Sequence, residues 1–456
     1  DPARWNRHVP SVCTNWDTDM SPFEIGITSF GALVVMVYFG LWVPIALMLS
    51  SFVGVWMIKG SPVLAGKLLA LAASETISSY FFGVVPLFIM MGFIVSVTGM
   101  GRDAFDVANH IFRRIRGGLG IGTVGANAIF AAITGISIAS AAVFTRIVVP
   151  EMTRYGYNKQ FAVGVVAGSS VLGMLIPPSL LLILYGLLTE QSVGDLFIAG
   201  VIPGLLLAFV FCLGIFLVAL IRPSLIGGNI DLPADDDDVL SKREVMAKGL
   251  PLAALIGLVL GGIYGGFFTP IEAGAIGCSG AIVIGLIRRA LSFSDFWEVL
   301  TDTGLVTASI AFLIIAAQMY SRMLALSGVP AGFGNFVATA EIGYWGVILA
   351  YVLLVILMGT ILDSSSIMLI LVPLMLPVLS LMQVDLIWFG IVTIIAVEIG
   401  LLTPPFGISV FVIKSSLDDP TITLGDIFIG AAPFAVLMLI VLGLVLAFPI
   451  LVTALL

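Results

Sequence analysis

The sequence predicts an all-α polytopic membrane protein built from two related halves. Of its 456 residues, 60% are hydrophobic and only 10% are charged, and the mean hydropathy is +1.19. Soluble domains carry about 25% charged residues, so this chain lacks the charge to cover a water-exposed surface. Since a membrane helix takes about 20 apolar residues, we expect about 10 to 13 spans.

Charge and motif content exclude several classes of function. The chain has 19 basic and 27 acidic residues, a formal net charge of −8, which argues against a nucleic-acid partner. Cys13, Cys212 and Cys278 lie far apart, and with two histidines they give no zinc-ligand spacing. The stretch from Gly60 to Leu68 approaches a phosphate-binding loop but has the wrong spacing. We therefore expect no ATP-driven chemistry in this chain.

The first part of the chain alternates apolar and amphipathic segments. Residues 1–20 are polar and are predicted to form an N-terminal extension. Phe23 to Met57 is long enough for two tightly joined spans, and Leu64 to Ser79 is predicted to lie at the membrane surface. The apolar run Val84 to Val97 then precedes an amphipathic segment from Arg102 to Arg116.

An aqueous stretch from Arg222 to Lys248 divides the chain into a first half, 21–221, and a second half, 249–456. It contains the acidic run Asp235 to Asp238, which we interpret as part of a solvated linker rather than a cation site. The basic residues of this linker and of the pair Arg288-Arg289 indicate cytoplasmic ends.

The two halves repeat a pair of motifs in the same order. The segment from Gly173 to Pro178 ends in Pro-Pro, and so does the segment from Gly400 to Pro405, which follows it by 227 positions. Upstream of each stands a cluster of small and polar residues, Thr134 to Ser140 in the first half and Gly359 to Ser366 in the second. Self-similarity of this kind predicts two inverted repeats.

Length indicates that each polar cluster is the tip of a re-entrant helical hairpin. The stretch 118–150 has 33 residues and the stretch 345–382 has 38. Each is too long for one span and too short for two spans with a turn, which need about 40 or more. The polar residues Thr134 and Asp363 fall near the two midpoints. Irregular backbone at that depth is tolerated only inside protein or beside a cavity.

The proline pairs are predicted to break two further helices, around 173–178 and 400–405. A proline lacks an N–H and its ring clashes with the preceding turn, so upstream carbonyls lose their helical partners. Free carbonyls together with hydroxyls from a facing hairpin tip can form a Na⁺ site. The N-termini of the half-helices at the tips also favour an anionic substrate.

Two acidic residues inside apolar stretches have both a functional and a structural interpretation. Asp363 is costly in hydrocarbon and is therefore a candidate functional residue. The alternative is a carboxylate that only accepts hydrogen bonds from N–H groups of the hairpin tip. Glu398 is either a structural hydrogen-bond acceptor or a group that takes part in ion coupling.

These motifs together resemble the large membrane subunit of tripartite ATP-independent periplasmic (TRAP) transporters. The resemblance runs from about Ser21 to the C-terminus and rests on five segments: Val85 to Gly92, Thr134 to Ser140, Leu175 to Gly186, Gly359 to Asp363 and Glu398 to Pro405. It implies a secondary transporter of the bacterial inner membrane with an elevator mechanism. It also implies a small membrane subunit and a periplasmic solute-binding protein as partners, and inward flow of about two Na⁺ that drives organic acid uptake.

The resemblance also implies which residues form the transport site. One Na⁺ would bind backbone oxygens of Gly173, Ile176 and Pro178 together with Thr134 and Ser137. The second would bind Gly400, Thr403 and Pro405 together with Gly359 and Thr360. The substrate would contact Ser137, Ser140, Asp363 and Ser364.

Other functions remain as alternatives to Na⁺-coupled uptake. A proton-coupled organic anion carrier and an anion channel of related fold are the nearest, although a channel needs a continuous polar path and usually subunit symmetry. A membrane enzyme is disfavoured because the apolar runs contain no histidine cluster and no Ser-His pair. One Asp with Ser and Thr neighbours fits a C4-dicarboxylate, a sugar acid or a related carboxylate equally well.

Overall fold

The computed structural model describes residues 20–227, 240–332, 334, 343–417 and 419–456. Within these ranges the regular elements are helices, accompanied by an isolated β-bridge between Tyr157 and Ile226. Seven helical stretches of the described residues are long and apolar enough to cross a membrane, or eight if a bent pair forms one span. One of the seven, Lys159–Thr189, consists of three shorter helices. The predicted all-α polytopic class is confirmed. Most of the predicted N-terminal extension and the middle of the linker lie outside the described residues.

The number of long spans is smaller than composition suggested. Five apolar helices have only 16 or 17 residues, fewer than the about 20 that a perpendicular crossing takes. Apolar content along the chain does not distinguish these shorter helices from full spans, so the number predicted from composition includes both.

The first half consists of helices of very different length. In chain order they are α1 (Pro22–Tyr38), α2 (Val43–Lys59), α3 (Pro62–Ser78), α4 (Val84–Val97), α5 (Met100–Phe112), α6 (Gly118–Thr134), α7 (Ser137–Arg154), α8 (Lys159–Ser170), α9 (Leu172–Leu175), α10 (Leu180–Thr189) and α11 (Val193–Ile221). A 3₁₀ turn, Tyr80–Gly83, precedes α4, and another, Pro223–Leu225, follows α11.

The described helices of the second half follow the linker. They are α12 (Lys242–Tyr264), α13 (Pro270–Ile287), α14 (Phe293–Ser327), α15 (Tyr344–Gly359), α16 (Ser364–Leu381), α17 (Leu386–Leu401), α18 (Ile408–Ser416), α19 (Leu424–Ala447) and α20 (Ile450–Thr453). Helices of both halves begin at a capping box, in which a Ser or Thr accepts from the backbone N–H three residues later and the acidic side chain there reciprocates. The pairs are Ser21 with Glu24, Ser241 with Glu244, Thr269 with Glu272, Ser292 with Asp295 and Thr423 with Asp426.

A sharp bend directs the chain into the first hairpin. α4 and α5 meet at 68°, and Gly99 between them has φ +77°, a conformation that favours glycine. Asp103 on α5 is 2.5 Å from Arg288 at the end of α13, and Asp106 pairs with Lys248 on α12. These ion pairs fix α5 against helices of the second half.

Large side chains with satisfied polar groups join the helices of the core. The Tyr185 hydroxyl on α10 donates to the Leu386 carbonyl at 2.5 Å, and the Trp388 indole on α17 donates to the Val445 carbonyl on α19 at 3.0 Å. Buried Tyr and Trp side chains usually need such partners. The contacts join α17 to α10 on one side and to α19 on the other.

Candidate functional site

Both proline pairs interrupt helices where the sequence predicts. The first break, residues 176–179, separates α9 from α10 and contains Pro177-Pro178. The second break, residues 402–407, separates α17 from α18 and contains Pro404-Pro405. Both Pro-Pro peptide bonds are cis.

Each predicted hairpin stretch contains two helices joined by a short tip. The first tip, residues 135–136, joins α6 to α7, and the second tip, residues 360–363, joins α15 to α16. α7 continues through Pro150 to Arg154, four residues beyond the predicted end of the first hairpin. The second hairpin, Tyr344 to Leu381, lies within one residue of its predicted bounds at each end.

The first tip packs directly against the first break. The Leu180 N–H donates to the Gly135 carbonyl at 3.1 Å. Gly135 has φ +64°, and a Cβ built on it would lie 2.4 Å from the Pro178 oxygen. A Cβ on Gly173 would lie 3.1 Å from the Ile136 carbonyl carbon. Glycine at these positions therefore permits the close approach of tip and break.

The second tip packs against the second break in the same way. The N–H groups of Phe406 and Gly407 both donate to the Thr360 carbonyl at 3.2 Å. A Cβ on Gly400 would lie 2.6 Å from the Gly359 Cα, so the two backbones are in direct contact. In both halves a tip carbonyl accepts from an N–H two residues after the proline pair. The halves thus share a spatial contact as well as a sequence motif.

Three threonines that are expected to bind Na⁺ donate their hydroxyl protons to nearby backbone carbonyls. Each donates to a carbonyl three or four residues earlier at 2.7 to 2.9 Å: Thr134 to Phe130, Thr360 to Leu357 and Thr403 to Ile399. A hydroxyl that donates in this way keeps oxygen lone pairs for another partner. The three oxygens can therefore still accept a cation.

Ser137 and Ser140 present buried hydroxyls without partners. Both side chains are 0% exposed, and neither hydroxyl has a hydrogen-bond partner among the residues that the structure describes. Buried polar groups are nearly always paired in proteins, so an unpaired hydroxyl calls for an explanation. A bound ligand would supply the missing partner.

Asp363 has a structural partner at the second tip. It is the N-cap of α16 and accepts from the Ser366 N–H at 3.1 Å and from the Ser366 hydroxyl. The structural interpretation of this carboxylate therefore has direct support, while a second role toward substrate stays a prediction. The neighbouring Ser364 hydroxyl donates at 3.3 Å to Oε1 of Glu398.

Glu398 lies between the two hairpins. It projects from α17, is 1% exposed, and its Oε2 has no hydrogen-bond partner within the described ranges. Ser364 of the second hairpin donates to one oxygen of the carboxyl group. The Ser137 side chain of the first hairpin lies beside the same group but outside hydrogen-bonding geometry. An acidic residue within the apolar stretch 386–401 is the sequence signal for Glu398, and it is compatible with both a structural role and a role in ion coupling.

The two breaks differ in their exposure. At the first break Ile176 and Pro178 are buried, whereas at the second break Thr403 is half-buried and Pro405 is exposed. Phe406, beside Pro405, is 52% exposed. The backbone oxygens of the first break are enclosed by protein, and those of the second lie close to the surface.

The bases of the hairpins lie at opposite ends of the span Lys159–Thr189. Lys159, just after the base of the first hairpin, pairs with Asp419 at 2.5 Å. At the other end Tyr185 binds Leu386, which follows the base of the second hairpin.

Hydrogen bonds from Lys159 and Thr421 hold the pKa of Asp419 well below its usual range.

The donor atoms gathered at the site are oxygens. Across the described residues no group of three or more His, Cys, Asp or Glu could hold a metal ion. The tips and breaks instead supply carbonyl and hydroxyl oxygens, which suit hard cations. The arrangement can bind a small cation and an oxygen-rich solute.

A family model described as "Tripartite ATP-independent periplasmic transporter, DctM component" matches residues 30–451. The chain belongs to this family. It is a large permease subunit of a TRAP transporter, and proteins of this kind carry out membrane transport rather than enzymatic catalysis. The resemblance noted in the sequence is confirmed.

Curated relatives of this TRAP permease cover most of its length. The C4-dicarboxylate TRAP large permease of Pseudomonas aeruginosa is 34% identical over 84% of this chain and 87% of its own length. The sialic acid TRAP large permease of Vibrio cholerae is 31% identical, covering 80% and 83%. The ectoine/5-hydroxyectoine TRAP large permease of Ruegeria pomeroyi is 28% identical, covering 90% and 94%.

Two solved transporters share the fold of this TRAP permease. The YdaH transporter of Alcanivorax borkumensis aligns with a TM-score of 0.56 at 16% identity, covering 82% of this chain and 87% of that one. MtrF of Neisseria gonorrhoeae aligns with a TM-score of 0.58 at 12% identity, covering 84% and 83%. At these identities the likeness concerns the fold alone.

Proposed function

We propose that this TRAP permease couples the inward movement of about two Na⁺ to the uptake of an organic acid. The observation that carries the proposal is the duplicated contact between a hairpin tip and a proline break. Each contact brings helix-end carbonyls next to hydroxyl groups, and a carbonyl oxygen that accepts one hydrogen bond keeps a lone pair for a cation. Oxygen sites of this kind, made from discontinuous helices at mid-membrane, are where secondary transporters bind coupling ions.

The first Na⁺ would bind where Gly173, Ile176 and Pro178 meet Thr134 and Ser137. The burial of this break supports the assignment, because a desolvated cation needs oxygens that water does not already occupy. The second Na⁺ would bind where Gly400, Thr403 and Pro405 meet Gly359 and Thr360. The exposure of this break makes it the more accessible of the two for an ion arriving from water.

The relatives support an organic acid as substrate, since C4-dicarboxylates and sialic acid both carry carboxylates. We assign the substrate to Ser137, Ser140, Asp363 and Ser364. The unpartnered serine hydroxyls of the first hairpin can donate to a carboxylate. Asp363 borders this position with its own oxygens occupied by Ser366, which limits its repulsion of an anion.

The two halves would be inverted repeats, and the hairpins would move together as one transport domain against a scaffold. The opposite placement of the hairpin bases supports inversion. As in other TRAP systems, the permease would assemble with a small membrane subunit in the bacterial inner membrane. A periplasmic solute-binding protein would deliver the substrate.

Reconstituted uptake tests this function. With the partner proteins present, uptake of a C4-dicarboxylate and of sialic acid is measured in proteoliposomes with an inward Na⁺ gradient. Substrate accumulation should require Na⁺ and should not require ATP. Equal accumulation in choline buffer at fixed pH and membrane potential would refute Na⁺ coupling. A channel would only equilibrate the anion along its own gradient.

Glu398 favours a proton-coupled carrier as the second candidate. A buried carboxyl group with one unpartnered oxygen can take up and release a proton during a transport cycle. Uptake driven by a pH gradient without Na⁺, and lost in Glu398→Gln, would identify this mechanism. Na⁺-driven uptake that survives in Glu398→Gln would reject it.

A further inference from the structure

A basic cavity lies away from the candidate transport site, between α5 and the second helix of the first hairpin, α7. Its volume is about 470 Å³. Arginines project into it from both sides, Arg102 and Arg113 from the α5 segment and Arg146 and Arg154 from α7. The cavity therefore connects the segment that leads into the hairpin with the hairpin itself.

Most of this positive charge is not neutralised by residues that the structure describes. Among the cavity's two carboxylates, Asp106 pairs with Lys248, and Glu151 lies 4.0 Å from Arg154. Arg102, Arg113 and Arg146 form no ion pair or side-chain hydrogen bond with the part of the chain that the structure describes. Three guanidinium groups around one cavity form a strong site for an oxyanion, which each can bind through two N–H donors.

The cavity lies at the basic end of the molecule. The α5 segment is joined there to Lys248 and Arg288, which flank the linker and the end of α13. Basic residues concentrate on the cytoplasmic side of membrane proteins, so this end faces the cytoplasm.

Apolar surface accompanies the arginines. Phe105, Ile147 and Leu240 also line the cavity. Ile111 and Ile115, on α5 and just beyond it, are 59% and 41% exposed. An interfacial amphipathic helix exposes such residues to acyl chains. The site thus offers cationic groups for a headgroup and apolar groups for the chains attached to it.

We propose that this cavity binds the phosphate headgroup of an acidic phospholipid from the cytoplasmic leaflet. Basic pockets between helices on the cytoplasmic side bind acidic lipid headgroups in other membrane proteins. Bound there, the lipid bridges α5 and α7. It stabilises the base of the first hairpin without contacting Ser137 or Ser140.

The test is a lipid titration of the purified full chain in detergent, followed by its apparent melting temperature. Phosphatidylglycerol, phosphatidylcholine and inorganic phosphate are added separately. The test variant is Arg102→Gln/Arg113→Gln/Arg146→Gln. The matched control is Arg114→Gln/Arg116→Gln, which removes exposed arginines from the same chain segment outside the cavity.

Phosphatidylglycerol should stabilise the wild type and the control, with at least tenfold weaker apparent affinity in the triple variant. Phosphatidylcholine should have little effect on any of them. Inorganic phosphate that stabilises the wild type as well as the lipid does would identify a free oxyanion site and overturn the lipid assignment. Equal lipid affinity in the triple variant would overturn the site itself. If the triple variant does not fold, Arg146→Gln alone should bind severalfold more weakly, and unchanged affinity would be decisive against the proposal.

Discussion

From the contact between Gly400 and Gly359 we predict how much the variant Gly400→Ala destabilises the protein. In Gly400→Ala the added methyl carbon would start 2.6 Å from the Gly359 Cα and 2.7 Å from the Ile356 carbonyl oxygen. Carbon atoms in contact are about 3.5 Å apart or more, so the helices must separate by about 1 Å. Both obstacles are backbone atoms, and no side-chain rotation can relieve them. We expect destabilisation of about 1 to 3 kcal/mol, the usual cost of overpacking.

Two matched glycine-to-alanine variants serve as comparisons for the destabilisation expected in Gly400→Ala. Gly173→Ala, at the equivalent position of the first half, would bring a methyl carbon within 3.1 Å of Ile136 and should be milder. Gly257→Ala lies in α12 with nothing within 4 Å of the added carbon. It should be neutral or stabilising by up to about 1 kcal/mol, because alanine is the better helix former.

The assay combines apparent melting temperature in detergent with uptake in proteoliposomes containing the partner proteins. Stability should rank Gly257→Ala first, Gly173→Ala second and Gly400→Ala last. Because the second break is proposed to bind Na⁺, Gly400→Ala should also need more Na⁺ for half-maximal uptake. A Gly400→Ala protein with the stability and Na⁺ response of the wild type would refute the close packing of hairpin and break.

Three further predictions concern individual residues and the orientation of the halves. Asp363→Ala should cost about 1 kcal/mol through loss of the α16 N-cap, whereas Asp363→Asn keeps the cap and should lose transport alone; melting temperature and uptake separate the two effects. Thr403→Ala should raise the Na⁺ concentration for half-maximal uptake, since the site loses one oxygen but keeps its carbonyls, and an unchanged Na⁺ titration would exclude the Thr403 hydroxyl as a ligand. In a background without native cysteines, Arg116→Cys and Trp345→Cys should react with an impermeant thiol reagent from opposite sides of the membrane, and labelling from one side would contradict the inverted repeats.

Features determined by neighbouring residues could be predicted from the sequence. The proline pairs end helices in any surroundings because the ring removes an N–H and clashes with the preceding turn. The apolar run from Val84 to Val97 coincides with α4. The all-α class follows from composition, and the hairpin bounds follow from length within a few residues.

Features that depend on distant residues required the structure. Glu398 could not be placed because its neighbours Ser137 and Ser364 come from two separate hairpins. The role of Asp363 as an N-cap depends on an extended backbone, with φ −73° and ψ 159°, directly before a helix. The individual hydrogen bonds between the tips and the breaks are not encoded in a local pattern. The ligand assignments at these positions stay predictions.

The unequal burial of the two proline breaks has a consequence for inhibitor design. Phe406 is 52% exposed and follows the exposed Pro405, whereas Pro177 and Pro178 are enclosed. On the chain by itself, a small molecule can therefore approach the second break more readily than the first. A ligand bound there would compete with the hydrogen bonds that the N–H groups of Phe406 and Gly407 donate to the Thr360 carbonyl. Screening for compounds that arrest the carrier is best directed at this break.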